Sequence, residues 1–290
     1  MNSNNINTEN DFNDKVMLIS GSSSGIGAGA AVYFAKLGAN VVVTGRDSSK
    51  VKLVAQECRQ QQQQHTGKQT LEVVVDVLDD RQVRHLVDKT VGHFGKINIL
   101  VNCAGIVDHG YIGDDDNNNK DLKYMKLFDG IVNTNLRSAV LLTSLVIPYL
   151  EQTKGCIVNI SSISSMIPAK TWSPYGISKC GLNMFTKCLA MELGPKGIRV
   201  NAILPGIVLT PLIDTIKQFA ITQDDMKMFC QMTYPLQRPG LVDDINKAIE
   251  FLASDSWAPF VTGSLVPLDG GALVCKKYRL RDKQPNILTN

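Results

Sequence analysis

The chain has 290 residues, 44% of them hydrophobic and 20% charged, with a formal net charge of +3. This composition can bury a large core and excludes a disordered chain, and so small and evenly spread a charge excludes a nucleic-acid partner. Cys58, Cys103, Cys156, Cys180, Cys188, Cys230 and Cys275 show no C-x-x-C pair and no zinc spacing, so reduced thiols and no bound metal are expected.

Residues 1–11, rich in Asn, match neither a secretory signal nor an Arg-rich transit sequence and read as a disordered extension. From residue 12 to 275, short β-branched runs alternate with helical patterns. This predicts a single α/β domain, a Rossmann-type doubly wound sheet of about seven parallel strands with helices on both faces. The strands are expected near Val16–Ser20, Val41–Thr44, Leu71–Val75, Ile97–Asn102, Cys156–Ser161, Ile198–Leu204 and Leu265–Leu268. Two low-complexity tracts, Gln60–Gln64 and Asp114–Asn119, read as solvated insertions in surface connections. The apolar run Ala139–Leu150 contains Thr143, Ser144 and Pro148 and is too short to span a bilayer, so it predicts a buried helix and no membrane partner. Residues 276–290 read as a tail without a lipidation or retention signal, and the cytoplasm is the expected compartment.

The first strand runs into Gly21-Ser22-Ser23-Ser24-Gly25-Ile26-Gly27, ahead of an apolar helix over Ala28–Leu37. Glycines at this spacing let backbone amides approach a pyrophosphate, and the helix N-terminus then faces its negative charge. No lysine is present to make this a P-loop. The same letters fit a G-x-S-x-G nucleophile elbow on Ser23, a serine hydrolase reading that needs a late histidine. The four histidines are His65, His85, His93 and His109, all in the first half of the chain.

After the second strand come Gly45, Arg46 and Asp47. A carboxylate at the end of this strand grips the ribose hydroxyls of NAD. Here Gly45 occupies that slot, and Arg46 can stack on adenine and pair with a 2′-phosphate, with Ser23 and Ser24 adding hydroxyl donors. NADP(H) is therefore expected over NAD(H).

Tyr175 and Lys179 stand four residues apart at the start of a helical pattern that reaches Leu193, so they share one helix face. A tyrosine acid/base working near neutrality needs its pKa lowered from about 10 towards about 7, a shift of about 4 kcal/mol. One ammonium about 4 Å away, at an effective dielectric of about 20, supplies that amount. Ser162, at the end of the fifth strand, can orient a substrate carbonyl beside the tyrosine.

Taken in order, Gly21-x-x-x-Gly25-Ile26-Gly27, Asp76-Val77, Asn102-Cys103-Ala104-Gly105, Asn135, Ser162, Tyr175-x-x-x-Lys179 and Pro205-Gly206 resemble the short-chain dehydrogenase/reductase family, over essentially Asp14 to Leu273. The resemblance implies that Asp76 and Val77 meet the adenine. It implies that Asn102, Ala104 and Gly105 belong to the turn supporting the sheet and lining the adenosine ribose. Cys103 departs there from the usual asparagine. Pro205, Gly206, Val208 and Thr210 would cover the nicotinamide and phosphates. Asn135, preferred over Asn133, would hold a water that links Lys179 to solvent. The implied activity is interconversion of a carbonyl and a secondary alcohol on a small molecule, with Tyr175 as acid/base, Ser162 orienting the oxygen and Lys179 holding the nicotinamide ribose. The family's quaternary habit implies a homo-oligomer, a tetramer or dimer, joined through the helices near Ala139–Leu150 and Leu182–Met191. A cofactor-binding sensor without turnover is the other reading.

The stretch from Ile207 to Gln237 carries Leu212, Ile213, Ile216, Met226, Met228, Phe229 and Met232. Methionines fill irregular apolar sites, so this stretch predicts a lid over a lipophilic substrate, or equally ordinary helix packing. Met166, Ile167 and Trp172 point the same way.

Overall fold

The computed structural model describes residues 11–63, 65–112, 123–212 and 222–275. The readings of residues 1–10, of Asp114–Asn119, of Ile213 and Ile216 and of 276–290 lie outside the described residues.

Seven strands form one parallel sheet: β1 (Val16–Ile19), β2 (Asn40–Gly45), β3 (Thr70–Val74), β4 (Ile99–Asn102), β5 (Cys156–Ile160), β6 (Arg199–Pro205) and β7 (Leu265–Leu268). They pair in the order β3-β2-β1-β4-β5-β6-β7, with Leu18 opposite Val42 on one side and Leu100 on the other. Each strand lies within two residues of its predicted position at either end. Strands covered on both faces read as unbroken apolar runs, and β1 is Val-Met-Leu-Ile, buried throughout.

Alternate side chains go to opposite layers. Met17, Ile19, Val41, Val43 and Val101 pack beneath α1 (Gly25–Lys36), α2 (Ser48–Gln62) and α8 (Val242–Ala253). Val16, Leu18, Val42 and Leu100 pack against α3 (Asp80–Phe94), α5 (Ser138–Thr153) and α6 (Ser173–Leu193). Fully burying one such side chain contributes about 1.5–3 kcal/mol.

α4 (Lys123–Val132), a five-residue π-turn at Asn133–Arg137 and α5 form one continuous helix of 31 residues. By length and composition this helix is long enough to cross a membrane, which the run Ala139–Leu150 alone is not. Here it packs against α3, α6 and the sheet. The last described helix but one is α7 (Gln223–Thr233), closed at its start by a capping box between Thr222 and Asp225.

The glutamine tract needs correction at one residue: Gln60, Gln61 and Gln63 are exposed, Gln64 lies outside the described residues, and Gln62 departs. Gln60–Gln62 is the last turn of α2, and Gln62 is buried; its amide donates to the Ala39 carbonyl at 2.7 Å and accepts from Thr70 Oγ1 at 2.8 Å. Its long apolar stem and fully paired amide make it part of the α2–β3 seam instead of a solvated insertion.

Candidate active site

The chain order leaves β1 for β2 and β3 on one side and then crosses to β4 on the other. Between β1 and β4 the carboxyl ends open into a crevice, where ligands of open α/β sheets sit. A cavity of about 920 Å³ occupies this edge, and its wall is drawn from the segments after β1 through β6.

The glycine turn forms its floor. Gly21 has φ +68° and Gly25 φ +58°, a region that favours glycine, and a Cβ on Gly21 would lie 2.6 Å from Ala104 Cα. A Cβ on Gly27 would lie 2.5 Å from the Gly21 carbonyl oxygen, so α1 could not come so close to the turn with any larger residue there. The helix starts at Gly25, three residues earlier than its apolar pattern suggests, with Ser24 as an N-cap whose hydroxyl makes no capping bond. Ser20 Oγ accepts from the amides of Cys103 (3.0 Å) and Ala104 (3.1 Å) and so ties the two turns together. Ser23, Ser24, Ile26, Ala104 and Gly105 line the cavity as expected. Asn102 does not. Its Nδ2 donates to Thr143 Oγ1 at 3.0 Å and Asn159 Oδ1 at 2.8 Å, cross-linking β4, β5 and α5 beneath the turn.

At the far end of β2, a Cβ on Gly45 would meet Ser23 Oγ at 2.3 Å, so the slot for a ribose-gripping carboxylate is filled by the serine hydroxyl. Arg46 lines the cavity, has no ion pair among the described residues, and is followed by Asp47 and Lys50, which line it too. Asp76 and Val77 close this end; Asp76 Oδ1 accepts from the Leu78 amide at 3.0 Å.

The opposite end holds the reactive groups. Ser162 follows β5 in extended backbone, and its Oγ accepts from the Ser164 amide at 3.1 Å. Tyr175, in the first turn of α6, lines the same end of the cavity as Ser162. Lys179, one turn on and buried, donates to the Ile160 carbonyl at 2.9 Å and sits 5.7 Å from the Tyr175 ring centre. Asn135 lies in the π-turn and is buried. Its Oδ1 accepts from the Ile106 amide at 2.8 Å, and its Nδ2 donates to the Ile106 carbonyl at 2.9 Å and to Ser178 Oγ at 3.2 Å. Asn133 faces solvent, whereas Asn135 is buried. Asn135 backs the cavity wall without lining it.

Burial pushes the Lys179 ammonium down to about 8, partly opposed by nearby Cys103, whose own thiol burial raises to about 11. Tyr175 runs against expectation. Burial raises its hydroxyl above the ordinary value, and Ser162 pulls the other way without winning. The Lys179 ammonium lies over the Tyr175 ring, 5.7 Å from its centre, and adds nothing that offsets the burial of the hydroxyl. That ammonium is itself easily neutralised.

Pro205, Gly206, Val208 and Thr210 line the cavity after β6. Tyr234, which the sequence gives no reason to single out, holds this segment: the Ile207 amide donates to its hydroxyl at 2.9 Å. Of the expected lid residues, Leu212 and Met226 line the cavity, whereas Met228 and Met232 are exposed. Trp172 lines it as well, its ring edge-on to Tyr175 at 6.2 Å; Met166 faces solvent. No histidine lines the cavity, so Ser23 has no base beside it and the hydrolase reading falls.

The sequence profile of the family described as Enoyl-(Acyl carrier protein) reductase matches residues 21–272. A 3-oxoacyl-[acyl-carrier-protein] reductase of Thermotoga maritima is 33% identical over 265 residues, which cover 90% of this chain and 98% of that one. The chain belongs to the short-chain dehydrogenase/reductase family. It is an NAD(P)-dependent oxidoreductase, not a cofactor-binding sensor without turnover. A trans-4-hydroxycyclohexanecarboxylate dehydrogenase of Sinomonas cyclohexanicum is 33% identical over 259 residues, 89% of this chain and 92% of that one. The crystal structure of a 3-ketoacyl-(acyl-carrier-protein) reductase from Brucella melitensis, complexed with NADH, superposes with a TM-score of 0.77 at 33% identity, covering 90% of this chain and 99% of that one. As a short-chain dehydrogenase/reductase, this chain departs from its family's motifs at Cys103, and it lines its cavity with Lys50, Thr134 and Tyr234, which no motif marks.

Proposed function

We propose that this chain reduces a carbonyl to a secondary alcohol, and runs the reverse oxidation, on a small neutral lipophilic substrate with NADP(H) as cofactor. The observation that carries the reading is the convergence of Ser162, Tyr175 and buried Lys179 on one end of the cavity. The residues fit a dinucleotide: the Gly21–Gly27 turn, packed tightly against Ala104, lines the cavity ahead of the α1 N-terminus, and Arg46, with no ion pair among the described residues, stands past the filled Gly45 slot. Gly21, Ser23, Ser24, Gly25, Ile26 and Gly27 would hold the diphosphate, Arg46, Asp76 and Val77 the adenosine side, and Ala104, Gly105, Lys179, Pro205, Gly206, Val208 and Thr210 the remainder.

When bound, the nicotinamide supplies the hydride. The protein's part is positioning and proton transfer. Ser162 Oγ orients the substrate oxygen, and Tyr175 Oη gives it a proton. Lys179, once charged, favours the tyrosinate that remains. Asn135 keeps both Ile106 backbone groups paired and leaves a route by which the lysine is reprotonated from solvent. Lining residues at this end, among them Ile163, Trp172, Ile207, Pro211 and Met226, are uncharged apart from Lys179, which favours a substrate without charge near the carbonyl. The Brucella neighbour's NADH leaves the NADP(H) choice resting on Gly45 and Arg46. The outer face of α6, with Ile177, Met184 and Met191 exposed, supports a homo-oligomer, and the cytoplasm is the proposed compartment.

The test is steady-state reduction of alkyl, aryl and alicyclic ketones with NADPH and NADH. Wild type should turn over at least one neutral ketone with NADPH preferred, and Tyr175→Phe should lose about 100-fold or more in kcat. Turnover unchanged in Tyr175→Phe overturns the assignment.

A further inference from the structure

We propose that Lys50 and Asp47 tune the cofactor choice: Lys50 is the second cation of a clamp for the ribose 2′-phosphate, and Asp47 the counter-charge it leaves when that phosphate arrives. The inference rests on the NADP(H) reading and adds two residues to it.

A phosphate monoester carries about −1.5 to −2 charges near neutrality, more than one guanidinium offsets. The charged residues lining this end of the cavity are Arg46, Lys50, Asp47 and Asp76. Two cations thus face two carboxylates, and without Lys50 the region would be net negative and repel the phosphate. Asp47 cannot turn away. Its Oδ1 accepts from the Ser49 amide at 3.0 Å and the Lys50 amide at 3.1 Å, which fixes the carboxylate as the N-cap of α2. Its Oδ2 lies 3.9 Å from Lys50 Nζ, an ion pair too long to be a hydrogen bond. The Lys50 side chain is 64% exposed, so it exchanges Asp47 for a stronger acceptor by rotating its own stem.

The experiment is isothermal titration of the full chain with NADPH and NADH, and with adenosine 2′,5′-bisphosphate and AMP as probes of the 2′-phosphate alone. Lys50→Ala should weaken NADPH and the bisphosphate about tenfold and leave NADH and AMP within about twofold. Lys50→Arg should restore most of the loss. Asp47→Asn, which keeps a capping side chain, should tighten NADPH a few-fold and leave NADH alone. Equal loss for both dinucleotides in Lys50→Ala, or no loss, overturns the clamp. If wild type binds NADPH and NADH equally, the NADP(H) reading falls and the clamp with it. If wild type selects NADPH and only Arg46→Ala abolishes that selection, the reading stands and the clamp alone is wrong.

Discussion

Lys179 is 5% exposed, with the Ile160 carbonyl as its acceptor, and burial draws its pKa from 10.5 to about 8. The charged form is disfavoured in the folded protein, so below pH 8 the fold carries a penalty that the unfolded chain does not. Between about pH 8 and 10.5 the unfolded chain binds more protons than the folded one, and stability rises with pH in that window. The penalty near neutrality is on the order of 3 kcal/mol. Urea denaturation at pH 7.5 and 9.5 should therefore show Lys179→Met gaining on wild type at the lower pH and losing that gain at the higher, while its turnover is abolished at both. A pH-independent difference would sink the linkage. Tyr175 gives a matching spectroscopic expectation. Its hydroxyl is raised, so the cofactor-free protein minus Tyr175→Phe should show less than half of its full tyrosinate absorbance at pH 10 and none near neutrality. Its appearance near neutrality without nucleotide would reverse the direction argued here.

Among the elements, the turn between β1 and α1 is the most constrained. Gly21→Ala meets both an unfavourable φ and the Ala104 backbone at 2.6 Å, and should cost about 2 kcal/mol or more in chemical denaturation together with most of the nucleotide affinity. Gly67→Ala is the control: its φ is +77° but nothing lies within 4 Å, so a loss of about 1 kcal/mol with unchanged binding is expected. A glycine turn and a parallel-strand pattern are local signals, which is why this turn, all seven strands and the Tyr175–Lys179 helix face could be read from the chain. Other features depend on which neighbour a side chain meets. Asn102 ends a strand whose residues alternate between layers, and only Thr143 and Asn159, distant in the chain, decide that it cross-links the sheet. Gln62 sits in a polar run but is paired inside the α2–β3 seam. The four-residue spacing of Tyr175 and Lys179 is regular, yet burial raises the tyrosine hydroxyl instead of the lysine lowering it. Lys50 and Tyr234 belong to no motif and reach the cavity only through tertiary packing.

For the whole molecule, the sheet's two faces are sealed by helices, and the exposed apolar surface of α6 is left over. Ile177, Met184 and Met191 are spaced to share one helix face, and at 50%, 61% and 83% exposed they exceed what burial against the sheet can explain. Met184→Glu with Met191→Glu should shift the protein to a smaller species in analytical ultracentrifugation with its secondary structure unchanged; an unaltered mass would show that this face joins nothing. The sheet also has direction. The cavity opens at the carboxyl ends of the parallel strands, while turns such as Gly194–Lys196 lie at the amino ends, where Lys196 pairs with Glu151 at the surface. An anchor attached at that turn would hold the enzyme with its mouth facing outward, so a sensor chip or bead loaded through residue 196 should keep nearly all of its sites open to solution.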